Sequence, residues 1–397
     1  MSLLLALLPT TAHAEDGYDL WLRYRPVEAS WKAKYAPRAT AIVANSNSST
    51  IRAAMNELRR GITGMLGRAP SDRLKDGAIV LGAQAHDPAL GREGYRIRSR
   101  AIRGMRVITI SANNDIGALY GTFALLRMMQ MRQPVEQLDV RGAPALRIRM
   151  LNHWDNLDRT VERGYAGPSI WDWTYLPNIE PRYLDYARAN ASIGINGVVL
   201  NNVNADPKIL TPEYLTKVAA LANVFRPYGI RVFLTARFSS PIQVGGLDTA
   251  DPMDPRVKSW WRTKTDEIYR LIPDFGGFLV KANSEGQPGP WDYKRTQADG
   301  ANVIADALAP HGGTVFWRAF VYGNSKEDRA KQGYDEFRPL DGKFRGNVIV
   351  QVKNGPIDFQ PREPFHPLFG QMPRTKVSLE VQLTREYLGQ SDGVVFL

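Results

Sequence analysis

The stretch GGFLVKANSEGQPGP, residues 276–290, has the form of a single barrel unit. An apolar run of strand length leads into Lys281, Asn283 and Glu285, and a Gly/Pro turn closes it. The same grammar recurs in LRIRMLNHW (146–154), INGVVLNNV (195–203), IRVFLTARF (230–238), TVFWRAFVY (314–322), NVIVQVKN (347–354) and VSLEVQL (377–383). Amphipathic stretches at 181–193, 211–225, 257–272 and 298–309 lie between them and read as helices. Strands rich in Val, Ile, Leu and Phe that alternate with helices pair in parallel and are covered by those helices. A period that neither breaks nor reverses over seven units favours a (β/α)8 TIM barrel over an open sheet. The chain stops at DGVVFL, so the last barrel unit is expected to be missing.

In such barrels chemistry sits at the C-terminal ends of the strands. The residues there are polar and aromatic: Asn152, His153, Trp154 and Asp155, then Asn201, Asn202 and Asn204, then Arg237, then Lys281, Asn283 and Glu285. Arg318 follows the fifth strand, Lys353, Asn354 and Asp358 the sixth, and Glu386 the seventh. Cleaving a glycosidic bond needs a carboxyl that keeps its proton, to protonate the leaving oxygen, and an ionised carboxylate to attack the sugar or activate water. The loop after the fourth strand can hold Glu285 over the barrel mouth, and Asp358 with Glu386, from adjacent strands, could jointly hold a water. Lys281, Arg318 and Lys353 add three cations to the same rim. They either pair with those acids or meet an anionic substrate.

The chain has 397 residues, a net charge of +11 and a pI near 9.7. Its basic residues read as dispersed, without a long Lys/Arg run, which favours a small acidic ligand over nucleic acid. Cysteine is absent and no HExxH spacing occurs, so neither thiolate chemistry nor a cofactor or metal is expected. Residues 1–14, MSLLLALLPTTAHA, read as a signal peptide that lacks a basic n-region and ends in Ala12-His13-Ala14, with export to a bacterial periplasm or the medium. No run is long enough to span a membrane. Residues 15–130 alternate short strands (ATAIVANS, GAIVLG, GYRIRS, VITISA) with two helices, one opening at Ser49 or Thr50 with Ile51, Met55, Leu58, Ile62 and Met65 on one face. This is a small α/β domain without a phosphate-binding loop. A Pro-rich, charged stretch, 131–145, reads as the linker to the barrel at 146–397.

The strings MLNHWDNLDRTVERGYAGPSIW (150–171), INGVVLNNVNA (195–205), GFLVKANSEGQPGP (277–290), VQVKNGPIDFQPREPFHPLFGQMP (350–373) and LEVQLTREYLGQ (379–390) closely resemble glycoside hydrolase family 67, the α-glucuronidases of xylan breakdown. The resemblance implies a small α/β domain, a (β/α)8 barrel and a C-terminal helical domain, the last being absent here, and homodimers among full-length members. It implies an inverting reaction that releases α-1,2-linked glucuronic acid or its 4-O-methyl ether from xylooligosaccharides. By motif, Glu285 is the general acid, and Asp358 and Glu386 activate water. Lys281 and Arg318 grip the uronic carboxylate, Lys353 is a further polar contact, Val203 shapes the pocket around the methoxy group and Trp154 stands at its wall. Two other readings remain open: a hexosaminidase-like barrel, in which an Asp-Glu pair would be expected where Ser284-Glu285 stands, and a non-catalytic sugar-binding fragment.

Overall fold

The computed structural model describes residues 16–164, 167–283, 286–320, 327–353 and 365–381. It separates into two compact units, Met1–Pro144 and Ala145–Leu397.

The first unit holds α1 (Ala29–Tyr35), β1 (Ala41–Ala44), α2 (Ser49–Leu66), β2 (Ala78–Gln84), β3 (Tyr95–Ile102), β4 (Met105–Ala112), α3 (Asp115–Gln130) and β5 (Asp139–Gly142). Its sheet runs β1-β2-β4-β3-β5, parallel from β1 to β4 and antiparallel at β3 and β5. Helix α2 opens where its sequence predicts, because the Ser48 hydroxyl accepts from the Ile51 N–H at 3.1 Å and satisfies one of the orphan donors of the first turn. Ile51, Leu58, Ile62 and Met65 are fully buried along one face, while Met55 is partly buried. Gly61 lets α2 approach α3: a Cβ there would lie 2.5 Å from a Leu126 methyl. The stretch expected as linker contributes β5, which pairs with β3 through Arg98↔Asp139 to Tyr95↔Gly142. Four residues of mixed charge have no strand signature of their own, and β5 exists because β3 offers it an edge.

The second unit contains the seven predicted strands: β6 (Met150–Asn152), β7 (Gly197–Val199), β8 (Arg231–Thr235), β9 (Gly277–Val280), β10 (Thr314–Arg318), β11 (Val348–Lys353) and β12 (Lys376–Glu380). They form one parallel sheet in chain order. The helices between them are α4 (Pro181–Ser192), α5 (Pro212–Phe225), the one-turn α6 (Ser240–Gln243), α7 (Pro255–Leu271), α8 (Gln297–Leu308) and α9 (Arg329–Phe337). The concave face is apolar at depth, where Val199, Val203, Phe233, Leu279 and Phe316 pack together with Met150 and Trp154 against them. Gly276 precedes β9 because a Cβ there would meet the Phe233 ring at 2.3 Å. The sheet curls enough that its two end strands touch, Asn152 Nδ2 of β6 donating to Glu380 Oε1 of β12 at 3.3 Å. Among the described residues, no helix is long and apolar enough to cross a membrane.

Candidate active site

The β strands end in the residues that the sequence singles out, and the curl brings several of them together. Lys281 after β9, Arg318 at the end of β10 and Lys353 at the end of β11 surround the ring of Phe320. Their charged groups lie 5.6, 6.0 and 4.1 Å from its centroid. An aromatic face attracts cations and stands here in place of part of their water. Lys281 Nζ also donates to Asn204 Oδ1 at 2.8 Å, joining the fourth strand to the loop after the second. Arg318 is only 2% exposed and its Nη2 donates to Glu380 Oε2 at 2.6 Å, Glu380 itself being 7% exposed. Among the described residues, the acid that meets Arg318 is thus Glu380, in the apolar strand β12. Asn152 holds the other Glu380 oxygen. Around this pair, Asn152 Oδ1, Arg318 Nε, Gln351 Oε1 and Ser378 Oγ are buried without a hydrogen-bond partner among the described residues, a concentration that packed interiors avoid.

The asparagines after β7 divide by role. Asn201 spends both ends of its amide on Thr235, accepting from its N–H at 2.8 Å and donating to its carbonyl at 3.0 Å, and so fastens β7 to β8. Asn202 donates to Asn156 Oδ1 and Glu162 Oε2, both at 2.9 Å, and accepts from the Asn204 N–H at 2.8 Å. These bonds fix the bend that turns Val203 into the apolar cluster beside Trp154. The loop before Trp154 is held by its neighbours: His153 lies 2.8 Å from the Tyr186 hydroxyl and 3.2 Å from Asp155, and Asp155 accepts from the Ser169 hydroxyl at 2.5 Å. Burial pushes the Tyr186 phenol far up, so it stays a neutral partner.

Glu285, Asp358 and Glu386 lie outside the described residues. The start of the Glu285 loop is described. Asn283 adopts a left-handed φ of 51°, its Nδ2 donates to Asp292 at 3.1 Å, and its Oδ1 accepts from Gln297 at 3.4 Å. Gln297 is in turn fixed by the Trp317 indole N–H at 2.8 Å. Burial raises Glu336, which faces Gln297 and Trp291, to about 7. Sequence reasoning missed Glu380, Phe320, Gln297 and Glu336. Glu380 alone had a readable signal, an acid two residues after Ser378 on the same face of an apolar strand.

The profile of the glycosyl hydrolase family 67 middle domain matches residues 128–397, and that of the family's N-terminus matches 20–125. The chain belongs to glycosyl hydrolase family 67. Among curated relatives of this family 67 chain, a probable alpha-glucuronidase A of Neosartorya fischeri is 44% identical over 408 residues, covering 97% of this chain and 48% of that protein. Alpha-glucuronidase A of Emericella nidulans is 43% identical over 429 residues, covering all of this chain and 50% of that protein. The chain therefore spans about half the length of the curated relatives it matches. Solved structures share the fold at low identity. A GH138 enzyme targeting pectin rhamnogalacturonan II superposes with a TM-score of 0.52 at 16% identity, covering 79% of this chain and 38% of that one. A Streptomyces plicatus β-hexosaminidase gives 0.51 at 14%, covering 90% and 76%. The hexosaminidase likeness is one of fold, whereas the sequence kinship is with family 67.

Proposed function

We propose that the chain is the catalytic portion of an exported, inverting α-glucuronidase that removes α-1,2-linked glucuronic acid, or its 4-O-methyl ether, from xylooligosaccharides. The observation that carries the reading is the convergence of Lys281, Arg318 and Lys353 on Phe320, beside the Arg318–Glu380 pair. Cationic groups from three successive strands favour an anionic sugar over a neutral one, so the arrangement selects against glucosides.

Trp154 and Val203 wall the pocket, Val203 on the side of the methoxy group. Lys281 and Arg318 hold the uronic carboxylate, and Lys353 contacts the sugar. Glu285 gives its proton to the glycosidic oxygen as the C1–O bond breaks. Asp358 and Glu386 take a proton from water as it attacks C1 from the opposite face, so the configuration inverts. The buttress of Asn283, Gln297 and Asp292 fixes the stem of the acid's loop. Partners are glucuronoxylan-derived oligosaccharides rather than nucleic acid, and the whole protein is expected to form a homodimer, as the family resemblance implies.

Turnover of an aldouronic acid by Glu285→Gln tests the assignment. We expect a loss of at least about a hundredfold, the usual scale of general acid assistance, with an activated aryl glucuronide much less affected. Equal losses on both substrates remove Glu285 from the acid role. Proton NMR of the first-formed product should show the β anomer, and the α anomer appearing first would replace inversion by a covalent intermediate.

A further inference from the structure

Asn283 and Gly289, which flank Glu285 in the sequence, are pinched together. One oxygen of Asp292, Oδ2, accepts from the Asn283 side-chain amide at 3.1 Å and from the Gly289 N–H at 2.8 Å. The two stems lie so close that a Cβ at Gly289 would stand 2.2 Å from the Asn283 amide carbon. The other end of the Asn283 amide, Oδ1, accepts from Gln297 of α8 at 3.4 Å. That contact is long, so its strength depends on how firmly Gln297 is held. Gln297 is 1% exposed, and its Oε1 accepts from the Trp317 indole at 2.8 Å, which leaves its amide hydrogens to act as donors. One serves Asn283, and Glu336 of α9 faces the same amide together with the indole of Trp291. Among the described residues, Glu336 Oε1 is buried without a hydrogen-bond partner and the groups that face the carboxyl are neutral. A carboxyl set among neutral donors carries a desolvation cost that an apolar side chain of the same size avoids.

We infer that Glu336 is a positioning residue for the acid's loop: from α9 it keeps the Gln297 amide turned to Asn283, and through the pinch at Asp292 it sets the stem from which Glu285 departs. The inference rests on the reading of Glu285 as general acid and adds to it a side chain from a different βα unit. Glu336 acts through two intervening amides and exchanges no proton with the sugar. Misplacing a catalytic group by about 1 Å costs on the order of a hundredfold in rate, whereas the sugar is held by cations on other strands. A loosened stem is therefore expected to lower kcat and leave KM in place.

The test is steady-state kinetics of the whole protein on an aldouronic acid and on an activated aryl glucuronide. Glu336→Met keeps the volume and removes the acceptor. It should lower kcat on the aldouronic acid at least about tenfold, keep KM within about twofold and spare the aryl glucuronide, whose leaving group needs no proton. Glu336→Gln keeps an acceptor and should restore most of the rate. Gln297→Met should show the same pattern, and the double variant should be no slower than the slower single one, because both break one chain. Glu336→Asp withdraws the carboxyl by one methylene and should give a weaker form of the same loss, which decides the matter where Glu336→Met does not fold. Unchanged kcat in Glu336→Met, or in Glu336→Asp where that variant stands in, overturns the positioning role and leaves Glu285 as the acid. Equal losses on the two substrates, or additive losses in the double variant, also overturn it, by showing that Glu336 only packs α9. No turnover of the aldouronic acid by the unaltered protein overturns the reading of function and the positioning role together.

Discussion

Both units hold ion pairs in water, and the barrel unit also buries one. Residues 1–144 contain 20 Lys and Arg against 12 Asp and Glu, whereas 145–397 contain 31 against 28, so most of the net positive charge sits in the first unit. Read as a whole, the chain's basic residues look dispersed, but their excess is not. Yet the first unit keeps its pairs in water. Arg106 with Asp76 and Arg96 with Asp139 are half-exposed partners at 2.5 and 2.8 Å, and their carboxylates are held down to about 2 chiefly by the arginine hydrogen bonds. The barrel, nearly neutral, buries the pair of Arg318 with Glu380. Close approach of opposite charges is thus no measure of importance. What matters is whether water can replace a lost partner.

The sharpest way to break this comparison is Glu380→Ala. It strands a buried guanidinium and frees the Asn152 amide, and we expect a loss of about 3–5 kcal/mol in urea unfolding, the range for breaking one side of a buried pair. Replacing Arg318 and Glu380 together by Met and Leu should return much of that stability while abolishing uronate binding. If Glu380→Ala unfolds at the unaltered midpoint, the buried pair is no more than a surface pair.

Glu336 gives a smaller effect with a definite sign. Its pKa in the folded protein is about 7 against an ordinary 4.5, so between those values the folded state holds a proton that the unfolded state has lost. Stability is therefore full below about pH 4.5 and declines as pH rises through 7. Partial solvent access limits the decline to on the order of 1 kcal/mol. Chemical denaturation across that window should show the slope in the unaltered protein and a flatter profile in Glu336→Gln, and identical profiles would refute the assignment.

The weakest expected response sharpens the contrast from the other side. Asp76→Asn in the first unit should leave the unfolding midpoint where it was near neutral pH and in 0.5 M salt, because hydrated Arg106 loses little that water does not restore. A loss comparable to that of Glu380→Ala would mean that exposure does not separate the two classes.

The barrel's periodic architecture was legible because each strand-helix unit repeats one pattern, and all seven strands fall where the apolar runs lie. The one-turn α6 and helix α9 were not read. RAKQGYDEF is polar and short, and the Asp328 side chain, accepting from the Ala330 and Lys331 N–H groups, supplies its start. β5 escaped for a related reason, since its pairing is decided by β3 rather than by DVRG itself. In the site, residue type at strand ends located the cations, but not their mutual arrangement. Glu380 showed in the sequence only as an acid inside VSLEVQL, and its role emerges when the sheet curls Arg318 and Asn152 toward it. The roles of Glu285, Asp358 and Glu386 come from resemblance, and those residues lie outside the described part of the fold.

The Asn152–Glu380 hydrogen bond also imposes an order on folding, since it links residues 228 positions apart. A chain emerging from the ribosome can form the βα units one after another from local contacts, but Arg318 meets its described counter-ion only when β12 docks beside β11. The last described strand thus acts as a keystone for the pocket, and closing so long a separation costs more entropy than any contact between neighbouring units.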